Sequence, residues 1–267
     1  MTEDRRVPAV ISIAGSDSGG GAGIQADLKA FARCGVHGMT AITALTAQST
    51  VGVDSIHPVP PEIVIAQVRA VAEDIGIDAV KTGMLGDAVT ITAVVEALEL
   101  AGDAPVVVDP VLVAESGAIL LEPGARAGLV ERLLPRATVA TPNLQEAREL
   151  SGLGAEASQE ELARAVQALG PRAVIVTGGH TEDGADVLYE GGVEAVRIDG
   201  ELHPSGASHG SGCTHSASLA ALLALGEDLE TAARRAKRIT ADAVAAGHRR
   251  IGAGVGPVNV FGHNSER

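Results

Sequence analysis

The sequence predicts an α/β fold: a central, mostly parallel sheet covered by helices on both faces, with one small β-hairpin. Three observations carry that expectation. Short apolar runs alternate with helix-spaced segments along the whole chain. The runs are continuously apolar, which suits strands buried on both faces. The residues that close them are small, polar or acidic, as expected where ligands sit beyond the carboxyl ends of parallel strands.

The first strand is expected at 7–14, then a helix over 22–34 that stops at Gly35, a residue type at ease past a helix end. The β-branched run 39–46 and the piece 51–58 read as extended. Pro60-Pro61 opens a helix to about residue 75, because proline's missing N–H is not needed in a first turn. A short strand at 79–81 precedes a helix capped by Asp87 that runs to about residue 100. Strand 105–109 contains three consecutive valines and closes on Asp109-Pro110. Helix 122–134, strand 138–140, helices 143–150 and 158–169, and strand 173–177 follow. The stretches 186–190 and 193–198, joined by Gly191-Gly192, read as the hairpin. Helices 212–225 and 229–247 come last. No repeat, low-complexity tract or long linker interrupts the pattern, so one domain over 1–267 is expected.

Composition narrows the function. Apolar residues make up 46% but aromatics only 1%, so the core must be built from Ala, Val, Leu and Ile. That leaves no aromatic platform for stacking nucleic-acid bases, and a net charge of −14 opposes a polyanionic partner. Cys34 and Cys213 are too few and too far apart for a disulfide framework, and suit a reducing compartment. Residues 1–8 are charged without an apolar signal core, and no run of about 18 apolar residues occurs. A cytoplasmic protein without a membrane span is the expectation.

The candidate chemistry gathers at the glycine loops. Ser208-His209-Gly210-Ser211-Gly212-Cys213-Thr214 runs into an Ala/Leu-rich segment and reads as a loop opening a helix. First-turn amides have no intrahelical partners and the helix dipole is positive there, so such a turn suits an anion. A cysteine at that point has its thiolate stabilised. The other reading is a glycine-rich turn with a buried small residue.

The earlier loop, Gly15 to Gly23, has five glycines in nine residues beside Asp17 and suggests a substrate-covering loop. It loosely fits a dinucleotide fingerprint, but the acidic residue wanted at the end of the second strand is missing from 39–50. A Walker-type loop fails, because none of the lysines (Lys29, Lys81, Lys237) follows a glycine. Asp109, closing a buried strand, needs a partner, and a metal–phosphate group is a natural one. Asn143 and Glu146 share a helix face and suit either water-mediated Mg²⁺ binding or a helix cap. Asp27 and Gln48 are polar groups in apolar surroundings, read either as structural or as ligand contacts. His180 and His209 flank glycine loops and can reach phosphate, while the histidines show no zinc spacing.

Taken together, the motifs resemble the ribokinase-like superfamily, and more narrowly the hydroxymethylpyrimidine/phosphomethylpyrimidine kinases of thiamin synthesis. The residues that carry this are the run 14–29, with Ala14-Gly15-Ser16-Asp17 and Asp27-Leu28-Lys29, and the runs 42–48 and Lys81-Thr82-Gly83-Met84-Leu85. Further along come Val108-Asp109-Pro110-Val111, 141–146, Gly178-Gly179-His180, 209–214 and Gly256-Pro257-Val258-Asn259. The resemblance implies a ribokinase-like fold and ATP-dependent phosphorylation of 4-amino-5-hydroxymethyl-2-methylpyrimidine, then of its monophosphate, with ATP and Mg²⁺ as cofactors.

By this resemblance Gly210, Ser211, Gly212 and Cys213 form the anion hole, and Cys213 stands where most of the superfamily has an aspartate base. A helix-stabilised thiolate acting as that base is the corresponding expectation. Gly15, Asp27, Gln48, Met84 and Val111 line the pyrimidine pocket. Asp109 and Glu146 organise Mg²⁺, and Asn143, Thr177, Gly178, Gly179 and His209 lie along the nucleotide. A homo-oligomer, a dimer in the simplest case, is implied. Thr177 departs from the lysine many members carry, and Gly19 from their serine. A pyridoxal kinase of the same fold and a non-catalytic small-molecule binding protein are the alternatives.

Overall fold

The computed structural model describes residues 7–114, 117–179, 181, 183–203 and 207–262. The strands among them are β1 (Ala9–Asp17), β2 (His37–Gln48), β3 (Val53–Pro58), β4 (Ala79–Thr82), β5 (Val106–Val108), β6 (Val139–Ala140), β7 (Ala173–Val176), β8 (Asp186–Tyr189) and β9 (Val196–Ile198). They form one sheet in the order β3-β2-β1-β4-β5-β6-β7-β8-β9. The stretch from β2 to β7 is parallel, and β3, β8 and β9 run antiparallel at the edges. The expected α/β architecture and the β8–β9 hairpin are both present.

The helices are α1 (Gly23–Cys34), α2 (Pro61–Asp74), α3 (Ala88–Leu98), a single turn α4 (Arg126–Gly128), α5 (Leu144–Ser151), α6 (Gln159–Gln167), α7 (Ser211–Ala224) and α8 (Leu229–Ala245). Because side chains alternate along a strand, β1 feeds two cores. Ala9, Ile11 and Ile13 join the layer under α2, α3, α5 and α6, while Val10 joins the layer under α1, α7 and α8. Phe31 is fully buried in that second layer, which is otherwise mostly aliphatic and rich in alanine. Alanine and serine along α7 let it pack against α1, α8 and the sheet at once.

Two boundaries differ instructively from expectation. The helix expected over 122–134 is a mixed run, with a 3₁₀ turn at Pro123–Ala125, α4, a π-helical turn at Leu129–Leu133 and a 3₁₀ turn at Leu134–Arg136. Prolines at 123 and 135 withhold amide donors at both ends. β1 runs on to Asp17, because after a register shift between Ala14 and Ser16 it keeps pairing with β2. That extension carries the glycine-loop aspartate to the sheet's edge. No helix among the described residues is long and apolar enough to cross a membrane.

Candidate active site

Strand order sets the order of side chains along one edge of the sheet. The carboxyl ends of β2, β1, β4, β5, β6 and β7 deliver, in turn, Gln48, Gly15 to Asp17, Gly83-Met84, Asp109, Thr141 to Asn143, and Thr177. This edge opens into a cavity of about 1080 Å³. That is at the upper end for a single small-molecule site and leaves room for two ligands. Gly15, Gln48, Met84 and Val111 lie on its wall at one end, and Asn143, Thr177 and Gly179 at the other. Asp109, Glu146 and the turn His209 to Cys213 also line it.

Two glycine loops are clasped over this cavity. Asp17 accepts hydrogen bonds from the amides of Gly19 (2.7 Å), Gly21 (3.0 Å) and Ala22 (2.8 Å). Its Oδ2 also lies 3.2 Å from His209 Nε2. Burial opposes the Asp17 charge, but His209 and these amides outweigh it and hold the carboxyl below its usual range. Ser18 ties the same loop to the end of β2, donating to the Gln48 carbonyl and accepting from its amide. Lys29 donates to the Gly20 carbonyl at 2.6 Å. Across the clasp, Gly210 has φ 83° and a Cβ there would overlap the Gly21 carbonyl, so only glycine allows both the turn and the approach.

Gly210 is the N-cap of α7. Ser211 returns its amide to the Ser208 carbonyl, so the next two amides, of Gly212 and Cys213, are the ones without an acceptor inside the helix. The anion turn thus rests on fewer Ser211 contacts than the sequence suggests. Cys213 is half-buried on the cavity wall. The protein packed around its thiol pushes the pKa up to about 12, with Asp27 and Asp109 adding to the effect against Lys81 and the Gly23 amide. Burial and the two neighbouring carboxylates thus work against the expected helix-stabilised thiolate and favour the neutral thiol.

Three more expectations need correction or division. Asp27 does not line the cavity. It is fully buried beneath it, with Lys81 Nζ 2.9 Å from both carboxylate oxygens and Ser12 Oγ donating at 2.5 Å. Gly178 is buried too: its amide donates to Asp186 (2.7 Å) and a Cβ would overlap the Ala185 carbonyl, so it packs against the segment before β8. His180 lies outside the described residues. Asn143 and Glu146 form a complete capping box on α5 while also lining the cavity, so the cap and the ligand-facing reading share the same residues. Burial, then the nearby Asp109 charge, pushes Glu146 up to about 8.

The residues that sequence reasoning left without a role are Lys81, Asp186, His215 and Lys237. Lys81 is fully buried yet reaches the cavity floor, 3.9 Å from Asp109 Oδ2. Ser216 on α7 donates to the same Asp109 oxygen at 2.8 Å. Towards the Asn143–Thr177 end, Asp186 takes Lys237 Nζ at 2.6 Å and lies 3.3 Å from His215 Nε2. A lysine inside the four-residue, wholly buried strand Ala79–Thr82 was the one available signal.

A helix-start anion turn facing an acidic strand end, above a cavity large enough for two ligands, defines an α/β phosphotransferase of ribokinase-like architecture. The phosphomethylpyrimidine kinase family matches residues 17–259. A hydroxymethylpyrimidine/phosphomethylpyrimidine kinase from Streptomyces coelicolor is 46% identical over 260 residues, covering 94% of each chain. The ADP complex of Bacillus subtilis pyridoxal kinase superposes with a TM-score of 0.87 at 36% identity, covering 95% of this chain and 97% of that one. The phosphomethylpyrimidine kinase of Clostridium difficile gives 0.78 at 36% identity, over 90% and 100%. The chain belongs to the phosphomethylpyrimidine kinase family.

The clasp can be tested directly. Asp17→Ala removes the acceptor of three loop amides, a loss of about 1–3 kcal/mol for buried groups left unsatisfied. Hydrogen exchange at residues 19–22 is expected to speed up by about tenfold or more. Unchanged exchange there would show that Asp17 does not hold the loop.

Proposed function

We propose that this chain transfers the γ-phosphoryl of ATP to the hydroxymethyl oxygen of 4-amino-5-hydroxymethyl-2-methylpyrimidine, and then a second phosphoryl to the resulting monophosphate, releasing ADP each time. The observation that carries this reading is the order along the sheet edge. A slot between Gln48 and Met84 comes first, then the acidic strand end under the anion turn, then the Asn143–Thr177 end. That is the order of acceptor, transferring phosphoryl and nucleotide. ATP as donor is supported by membership of a kinase family and by the ADP held by the B. subtilis neighbour.

The pyrimidine ring lies against Met84 and Gln48. Gly15 keeps that slot open, because a Cβ there would sit 3.0 Å from Met84 Sδ. The amides of Gly212 and Cys213 receive the oxygens of the transferring phosphoryl, where the helix dipole favours negative charge. The transition state is loose, so positioning and charge stabilisation do most of the work and little base assistance is needed. Cys213 enters as a neutral thiol that shapes this turn. In the second step the acceptor brings its own negative charge.

Mg²⁺ fits the acidic edge. Among the described residues no group of three or more His, Cys, Asp or Glu is arranged as a metal cage. Mg²⁺ needs none, since it keeps waters and phosphate oxygens and takes one or two carboxylates. Asp109 and Glu146 are that pair; burial first, and then the Asp109 charge, pushes Glu146 up, and a bound cation would oppose that push. When bound, the ion supplies charge neutralisation of the phosphates. Asn143 and Thr177 face the nucleotide side, and the threonine offers a hydroxyl where many relatives have a cation.

A pyridoxal-phosphorylating activity is the second reading, favoured by the match to B. subtilis pyridoxal kinase. Both substrates are flat rings with a primary alcohol. ADP release measured in parallel with hydroxymethylpyrimidine, its monophosphate and pyridoxal separates them. The two pyrimidines are expected to give the higher kcat/KM, and a preference for pyridoxal would reverse the assignment. Cys213→Ala is expected to slow the first phosphorylation less than about tenfold and to spare the second. A loss in the range of about 10²–10⁴, typical of a general base, would restore a thiolate mechanism. Glu146→Gln keeps the capping box but cannot ionise when a cation binds, so thermal stability should hold while the Mg²⁺ concentration for half-maximal rate rises about tenfold. An unchanged Mg²⁺ requirement would remove Glu146 from the metal site.

A further inference from the structure

The buried ion pair beneath the cavity has no need to be ionic for the sake of stability. Replacing a buried pair by apolar residues of similar volume is often neutral or stabilising. Lys81 and Asp27 are both fully buried, on the β4 and α1 elements that meet under the start of α7. Gly83 leaves room for the ammonium: a Cβ there would lie 2.9 Å from Lys81 Nζ. Ser12 fixes the Asp27 carboxylate from the other side. The ammonium is thus pinned by two 2.9 Å contacts and can neither rotate away nor reach solvent.

From that fixed point it faces Asp109 at 3.9 Å. It also lies within electrostatic reach of Cys213 and forms part of the cavity floor. Asp109 is otherwise held by Ser216, a residue of α7 itself. Asp109 is therefore oriented jointly by a cation below and a hydroxyl from the helix that carries the anion turn.

We propose that Lys81 is a positioning residue for phosphoryl transfer, a fixed cation that sets the orientation and charge balance of Asp109 beneath the anion turn. This rests on the kinase reading given above. Lys81 does not touch the acceptor. It acts through Asp109, so it sets turnover rather than acceptor binding, and Asp27 and Ser12 serve to keep it in place.

The test compares Lys81→Met, the charge-neutral pair Lys81→Met/Asp27→Asn, and Gly83→Ala, with ADP release and thermal melting measured for each beside the wild type. In the pair, the amide oxygen introduced at position 27 still accepts from Ser12 and position 27 carries no uncompensated charge, while Asp109 keeps Ser216, so melting should return towards wild type. Its kcat should stay about 30–100-fold low, with KM for the pyrimidine within about threefold. Gly83→Ala, which displaces the ammonium without removing it, should fold and lose about fivefold in kcat. A pair that melts like wild type and keeps kcat within about threefold overturns the proposal. If neither Lys81 variant folds, a folded Gly83→Ala with unchanged kcat overturns it equally. A wild type that releases no ADP with any of the three acceptors overturns the kinase reading and this inference with it, whereas an active wild type beside fully active variants overturns this inference alone.

Discussion

The turn that begins α7 keeps its shape because two backbones touch. Gly210 meets the Gly21 carbonyl at a distance no Cβ would tolerate, and on the other side a Cβ at Gly21 would overlap the His209 ring. Asp17 then binds both partners of that contact, taking amides from one loop and the histidine of the other. Everything the cavity does depends on this clasp. It aims the first amides of α7 at the carboxyl ends of β1, β4 and β5, and through Ser216 it links that helix to Asp109. Loosening the clasp moves the anion turn and the acidic edge relative to each other, and neither functions alone.

The buried charges follow one pattern. Lys81 sits on Asp27, and Lys237 on Asp186, each within 3 Å and each at the cavity floor or wall. Burial alone would raise Asp186, yet His215 and Lys237 bring it below its usual range. Asp27, more deeply enclosed, is pushed up by burial in spite of Lys81 and Ser12. The same kind of pair thus settles differently at the two ends, because the surroundings differ in how far they exclude water.

Much of this could be read from the sequence. Strand-end chemistry puts Gln48, Met84, Asp109 and Glu146 on one edge, because chain order and strand direction suffice for that once the sheet is parallel. Glycine content marked both loops. What the sequence could not supply was register and depth. Asp27 is one helical turn into α1, and only the packing of α1 on β1, with β4 paired beside that strand, decides whether it faces a ligand or Lys81. The family resemblance implies Gly178 along the nucleotide, and what it does not convey is that the antiparallel return of β8 lays Ala185 against this glycine. The thiol of Cys213 shows the same limit: its place at a helix start was legible, whereas the carboxylates around it come from elements far away in sequence.

His209 donates its amide to the Gly256 carbonyl and its own carbonyl accepts from the Val258 amide, while Arg33 on α1 donates to the carbonyl of Val260. Helix α1 is therefore tied to a residue 227 positions further along the chain. The parallel strands from β1 to β7 precede α7 in sequence, but the turn at His209 closes only against the segment around Pro257. Closure across such separations is slow. During folding the sheet can thus be ordered while the edge that carries the cavity is still unformed.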